Sequence, residues 1–319
     1  MTGVSETTLA PMERVPNREG FALSFNVCVE TATNFPYWTS VWDHRKGEID
    51  ADTKLYIHRM LDVAARYGVL LQFYVVGSAL EHPDVDYLKR AAGEGHGIGN
   101  HTYTHLNVKA REPAQIQVIY RDQPWRAGGR TVPEILTNEV RCTTLAIRER
   151  LGVAPQGFRS PGGFPTALRD APEVRRIVAG EGFRYVSSGY QLLVPRDRPP
   201  TPAEFAAAVE LSVETLQPSR YVEHDGPGLL EISMMGVSDI DAFRNLRLSK
   251  EAWLQATRVA VHKAVSDGLA LSLLLHPSVL AARDPFCETL ELCARLSVDA
   301  GGGMATNDAL AARLTAGEG

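Results

Sequence analysis

The sequence predicts a single barrel-like α/β domain in which strands, each followed by a helix, gather around one shared mouth. Three observations carry that reading. From Phe21 onward, short apolar runs of strand length alternate with amphipathic stretches of helix length as far as the C-terminus. The chain has 319 residues, 44% hydrophobic and 22% charged, which is enough for one large core without covalent staples. Polar residues Asn26, Cys28, Glu30, His101, Arg159 and His276 all fall at or just past the C-terminal ends of predicted strands, where α/β folds build their sites.

Taken in order, residues 1–20 are polar and contain Pro11 and Pro16, and they read as a flexible arm ahead of a domain spanning 21–319. The first strand, 21–30 (FALSFNVCVE), alternates with period two. Ser24, Asn26, Cys28 and Glu30 share one face, while Leu23, Phe25, Val27 and Val29 share the other. Further strands are expected at 69–77, 97–101, 157–163, 184–190, 229–235 and 269–277, and helices at 51–67, 83–94, 134–151, 172–181 and 250–267. Periodicity alone does not distinguish a closed barrel from an open doubly wound sheet. A single mouth collecting the strand-end polar residues is the feature that favours the barrel.

Charge and composition exclude several classes. A net charge of −5 built from interspersed signs leaves no footprint for nucleic acid or an anionic membrane surface. The first residues, MTGVSETTLAPMERVPNREG, lack an apolar leader, and no stretch approaches the roughly 20 apolar residues of a bilayer span. A cytoplasmic location is therefore expected. Cysteines at 28, 142, 287 and 293 form no CxxC pair and are expected to be free thiols. The expected partner is a small-molecule substrate, with self-association into a homo-oligomer left open.

The run GNHTYTHLNV places His101 and His105 at i and i+4, so a helix beginning after the strand would set both imidazoles on one face within reach of one divalent ion. Two further motifs follow in order: GFRSPGGF with Arg159, and LSLLLHP with His276. This succession resembles the polysaccharide deacetylase family, the NodB-homology carbohydrate esterases (family 4-like) with their amidase and allantoinase-like relatives. The resemblance, which covers about Phe21 to Leu310, implies a distorted (β/α)7-type barrel of that kind. It further implies that His101 and His105 are metal ligands, that Arg159 of the Arg159-Ser160-Pro161 motif orients the catalytic acid, and that His276 protonates the leaving nitrogen.

The first strand departs from the family. Two aspartates, one a base and one a ligand, are expected there, either adjacent or one residue apart; Asn26 aligns with the base and Val27 or Cys28 with the ligand. In one arrangement Cys28 completes a Cys/His/His zinc site, leaving a fourth position for water, and Glu30 is the base. In the other Glu30 is the ligand, and the base comes from Asp43 or His44. Substrate contacts are expected from Asn26, Trp42, Pro161, Gly162 and Asp239, with Asp241 nearby. Phe35, Tyr37, Trp38 and Trp42 form an aromatic group that stacks on a sugar or ureide or serves as a core lid. The expected function is metal-dependent hydrolysis of C–N bonds in a small soluble amide or acylated amino sugar, with zinc as the metal. An allantoinase-like cyclic amide hydrolase and an inactive ligand-binding homologue are the alternatives.

Overall fold

The structure, a computed structural model, describes residues 9–32, 45–223 and 228–316. Nine strands form one sheet: β1 (Met12–Arg14), β2 (Ala22–Val29), β3 (Gln72–Val75), β4 (Gly97–Asn100), β5 (Gly157–Phe164), β6 (Tyr185–Gly189), β7 (Ser219–Tyr221), β8 (Leu230–Glu231) and β9 (Ala270–Leu275). Their spatial order is β1-β7-β8-β6-β5-β4-β3-β2-β9. All contacts are parallel except β1 with β7 and β7 with β8.

The two ends of the parallel series meet. Past β8 the chain stays beside β6, with Met234 N–H donating to Gly189 O at 2.7 Å, and then Met235 N–H donates to Ser272 O of β9 at 2.7 Å. That bond closes a seven-stranded distorted barrel, and each of the seven strand segments read from the sequence supplies one stave. Lower down, where β8 and β9 diverge, the Gln217 carboxamide fills the seam. Its Nε2 donates to Ala270 O at 2.9 Å and its Oε1 accepts from Ala270 N–H at 3.1 Å, the bonds a neighbouring strand would make.

The alternation in β2 sorts its side chains as its sequence demands. Leu23, Phe25, Val27 and Val29 pack outward among the helices, in a cluster with Ile57, Met60 and Trp253. Cys28 packs inward with Tyr74, Tyr185 and Ile232. Ser24, Asn26, Cys28 and Glu30 thus climb the inside of the barrel to its mouth. Two expectations about the termini of elements need correction. Residues before Gly20 are not uniformly loose, since β1 pairs with β7 and Val15 is buried. Helices at Pro202–Thr215, Pro277–Arg283, Glu288–Asp299 and Asn307–Thr315 extend the expected set, and the first has a complete Thr201/Glu204 capping box. Among the described residues, no helix is long and apolar enough to cross a membrane.

Candidate metal and proton-transfer site

Glu30 follows the last residue of β2 and is 3% exposed. One of its oxygens accepts from Lys46 Nζ at 2.5 Å. The other lies 2.8 Å from His105 Nε2 and 3.3 Å from His101 Nε2. Ligand atoms of Glu30, His101 and His105 all fall within 4.8 Å of one another. Burial disfavours the Glu30 charge, but His105 and Lys46 outweigh it and hold the carboxyl well below the usual carboxylate range.

The histidines do not reach this point on a helix. Residues 101–105 are a loop, with Thr102 at φ +60° and His105 at φ +59°. Left-handed backbone at residues with a Cβ costs free energy that other contacts must offset. Here the offset comes from side chains that accept backbone N–H groups. Asn100 Oδ1 takes Thr102 N–H at 2.9 Å, and Glu139 Oε2 takes the N–H groups of Tyr103 and Thr104 at 2.9 and 2.7 Å. The rings end 5.0 Å apart and nearly perpendicular. The i, i+4 spacing thus brings two imidazoles to one carboxylate, but through a pinned loop.

Arg159 lies on β5 and is fully buried. Its guanidinium donates to Ser187 Oγ at 2.9 Å, approaches Cys28 Sγ at 3.6 Å and stacks 4.1 Å from the Tyr74 ring centroid. Its backbone carbonyl accepts from His101 Nδ1 at 2.9 Å. Burial alone would raise the Cys28 thiol, but the His101 and Arg159 charges prevail and bring it down to about 7. Across the mouth, His276 begins the helix after β9. Its Nδ1 is 2.8 Å from Asp239 Oδ1, and its backbone N–H donates to Asp239 Oδ2 at 2.6 Å. Burial lowers the imidazole, and Asp239 more than reverses this, pushing it up to about 9.

Glu30, His101, His105, Cys28, Arg159 and His276 all line one cavity of about 250 Å3. Several expected roles change. Among the described residues Glu30, and not Cys28, converges with His101 and His105, which is the second of the two arrangements drawn from the sequence. Asn26 is buried below the mouth, bonded to Ser24 O and Ser272 Oγ, and does not line the cavity. Asp239 is fully buried behind His276 and holds it instead of facing substrate. Gly162, at φ +71°, lines the cavity where Pro161 does not. Phe35, Tyr37, Trp38, Trp42, Asp43 and His44 lie outside the described residues.

Sequence reasoning missed Lys46, Glu139, Tyr190 and Arg244. Glu139 carries a readable signal, a carboxylate on the buried side of an amphipathic helix. Lys46 and Arg244, the first in a loop and the second on the π-helical turn Asp241–Asn245, carry none, because isolated cations usually face solvent.

The donor set suits a divalent ion. Two imidazoles and one carboxylate form a recognised catalytic zinc set with an open fourth position. The His101 Nδ1–H bond to the Arg159 carbonyl fixes the tautomer that leaves Nε2 as a donor atom, the usual outer-shell support of a ligating histidine.

Comparison with known proteins bears on the family and the fold. Residues 48–185, which contain the His101–His105 loop and Arg159, match the polysaccharide deacetylase family model. Over 60 residues the chain is 38% identical to a chitooligosaccharide deacetylase of Rhizobium leguminosarum bv. trifolii, covering 18% of this chain and 27% of the relative. It therefore spans about a quarter of the length of that curated relative. A solved Mycobacterium smegmatis structure assigned to the polysaccharide deacetylases superposes with a TM-score of 0.65 at 18% identity, over 98% of this chain and 96% of that one. A Puue allantoinase superposes with a TM-score of 0.61 at 16% identity, over 93% and 90%. At these identities the likeness shows a shared fold.

Proposed function

We propose that this chain, whose residues 48–185 match the polysaccharide deacetylase family model, is a zinc-dependent hydrolase of C–N bonds other than peptide bonds, acting on a small soluble amide or acylated amino sugar in the cytoplasm. The observation that carries the reading is the convergence of Glu30, His101 and His105 in the cavity that Arg159 and His276 also line.

Glu30, His101 and His105 would hold the ion. The chemistry it supplies when bound is Lewis-acid polarisation of the carbonyl and activation of water. The chain's own residues divide the proton work. Once Glu30 is the ligand, the family's paired-acid motif slides along β2, and with one intervening residue its base position falls on Cys28. That thiol lines the cavity against the Arg159 guanidinium, the contact through which the R-x-P arginine orients a catalytic group. Cys28 accepts the proton of the attacking water, whose oxygen bonds to the acyl carbon. His276, held protonated by Asp239, donates to the nitrogen as the C–N bond breaks, so the products are the carboxylic acid and the amine. Gly162 and Gly163 line the cavity and leave room for the substrate to approach the β5 backbone.

A second reading, an inactive ligand-binding homologue, is favoured by one feature: the Arg159 guanidinium faces a thiol where the family expects a carboxylate. Metal analysis of the purified protein, combined with amine release from acetamido sugars, formamides and ureides, separates the two. One equivalent of divalent metal with turnover supports the hydrolase. Ligand-dependent thermal stabilisation without turnover supports the binding protein.

A further inference from the structure

Lys46 stands beside the candidate metal set without being one of its ligands. Its side chain is 3% exposed and lines the cavity, and its Nζ lies 2.5 Å from Glu30 Oε1, while Glu30 Oε2 faces His105 and His101 at 2.8 and 3.3 Å. The carboxylate is thus split: Oε1 belongs to a cation of the chain itself and Oε2 to the imidazoles. Taking an ammonium and a carboxylate out of water costs desolvation that their attraction often fails to offset, so the pair is poorly explained as a source of stability. Lys46 makes further contacts besides, and the one with Glu30 is the one that bears on the metal set.

The backbone that carries Lys46 is fixed from two sides. Gly47 N–H donates to Glu30 O at 2.8 Å, Ser78 Oγ donates to Lys46 O at 3.4 Å, and His82 Nε2 lies 3.1 Å from Gly47 O. Gly47 has φ +95°, and a Cβ there would collide with the Ser78 side chain, so this close approach needs glycine. The short 3-10 turn Gly77–Glu81, which contains Ser78, also grips the histidine loop. Gly77 N–H donates to Thr102 O at 2.9 Å and Ser78 N–H to Tyr103 O at 3.0 Å. One element therefore sets Lys46 and the two imidazoles on the two oxygens of Glu30.

We propose that Lys46 is a positioning residue for zinc: it keeps Glu30 a one-oxygen ligand and draws charge out of that carboxylate, so the site holds its ion less tightly and leaves it a stronger Lewis acid. This rests on Glu30, His101 and His105 being the ligand set, and adds a residue that tunes it. An outer-shell acceptor makes its ligand a better donor, as the Arg159 carbonyl does for His101. A cationic donor on the carboxylate acts in the opposite sense, and in a buried site its charge opposes that of the ion with little screening. Affinity and rate should therefore move in opposite directions when the charge is removed.

The test uses the full chain as Lys46→Met, which removes the charge at nearly the same length, and Lys46→Arg, which keeps it; Lys46→Gln reads the same contrast if methionine disturbs the fold. Zinc affinity of the metal-stripped proteins is read by competition with a chelator. Turnover of the zinc-loaded proteins is read by amine release from acetamido sugars, formamides and ureides. Lys46→Met should bind zinc at least about ten-fold more tightly than wild type and lose at least about ten-fold in kcat, with KM moving less. Lys46→Arg should stay close to wild type in both. Zinc binding no tighter in Lys46→Met, or a kcat that does not fall in an active protein, overturns the assignment, since a merely structural lysine would lower affinity and rate together. Tighter zinc in Lys46→Met with no turnover by wild type keeps the effect of Lys46 on the metal set and sinks the hydrolase reading. Absence of zinc binding from both proteins sinks the ligand set and the inference together.

Discussion

Two buried imidazole–carboxylate arrangements face each other across the barrel mouth, and they differ in how the carboxylate is shared. Asp239 is dedicated to one histidine side chain: its oxygens meet the His276 ring and the His276 backbone N–H, and Oδ1 otherwise takes only its neighbour's backbone, the Ile240 N–H at 2.8 Å. Glu30 is divided among His101, His105 and Lys46, and none of the three is bonded to it through both ring and backbone. A dedicated carboxylate keeps a proton on its partner. A shared one in the midst of several donor atoms is a ligand in waiting, since a divalent ion can replace the protons between them. The difference assigns proton donation to the Asp239–His276 side and metal binding to the Glu30 side.

The largest effect should come from breaking the shared side. His101→Ala should weaken zinc binding by more than about 100-fold, beyond the range seen for outer-shell partners, while circular dichroism shows an intact fold. Breaking the dedicated side should leave the metal in place: His276→Ala is expected to retain one equivalent of zinc and lose about 10²- to 10⁴-fold in kcat, the usual range for a general acid. Equal metal loss in both variants would dissolve the distinction.

Two smaller effects sharpen it. Glu139→Gln, which weakens the acceptor that pins Tyr103 and Thr104, should lower zinc affinity by about 10-fold through the loop alone. Asp239→Asn should move the basic limb of the pH–rate profile. His276 must be protonated to act, so activity in the wild type should fall as pH rises through about 9, and in the variant near the ordinary histidine value of about 6.5. The stability term has the same sign. A raised folded-state pKa contributes stability that is fully present below the unfolded value and lost as pH rises through about 9. Chemical denaturation at several pH values reads this directly.

Much of the scaffold was legible because strand and helix signals here are strong and local. The helices at Ala51–Tyr67 and Lys250–Asp267 begin at Asp50 and Ser249 caps and end at left-handed Gly68 and Gly268, and both match the expected bounds. The alternation in β2 correctly separated its inward polar column from its outward apolar one. The 101–105 loop was not legible, because its conformation depends on Glu139, more than thirty residues later, accepting N–H groups that a helix would otherwise satisfy internally. The choice between Cys28 and Glu30 was equally beyond local reading. Both point inward, and only the height of the histidine loop above the barrel decides which one the imidazoles meet. Asp239 was misread for a related reason: a carboxylate in a strand-end loop looks solvent-facing until the fold shows a histidine backbone against it.

Zinc titration of three proteins tests the central assignment most directly: wild type, Cys28→Ser and Glu30→Gln, followed by calorimetry. With Glu30, His101 and His105 as the ligand set, wild type and Cys28→Ser each bind one equivalent with similar affinity, and Glu30→Gln loses at least 100-fold. Full zinc binding by Glu30→Gln together with its loss in Cys28→Ser would contradict that set and return the thiol to the metal.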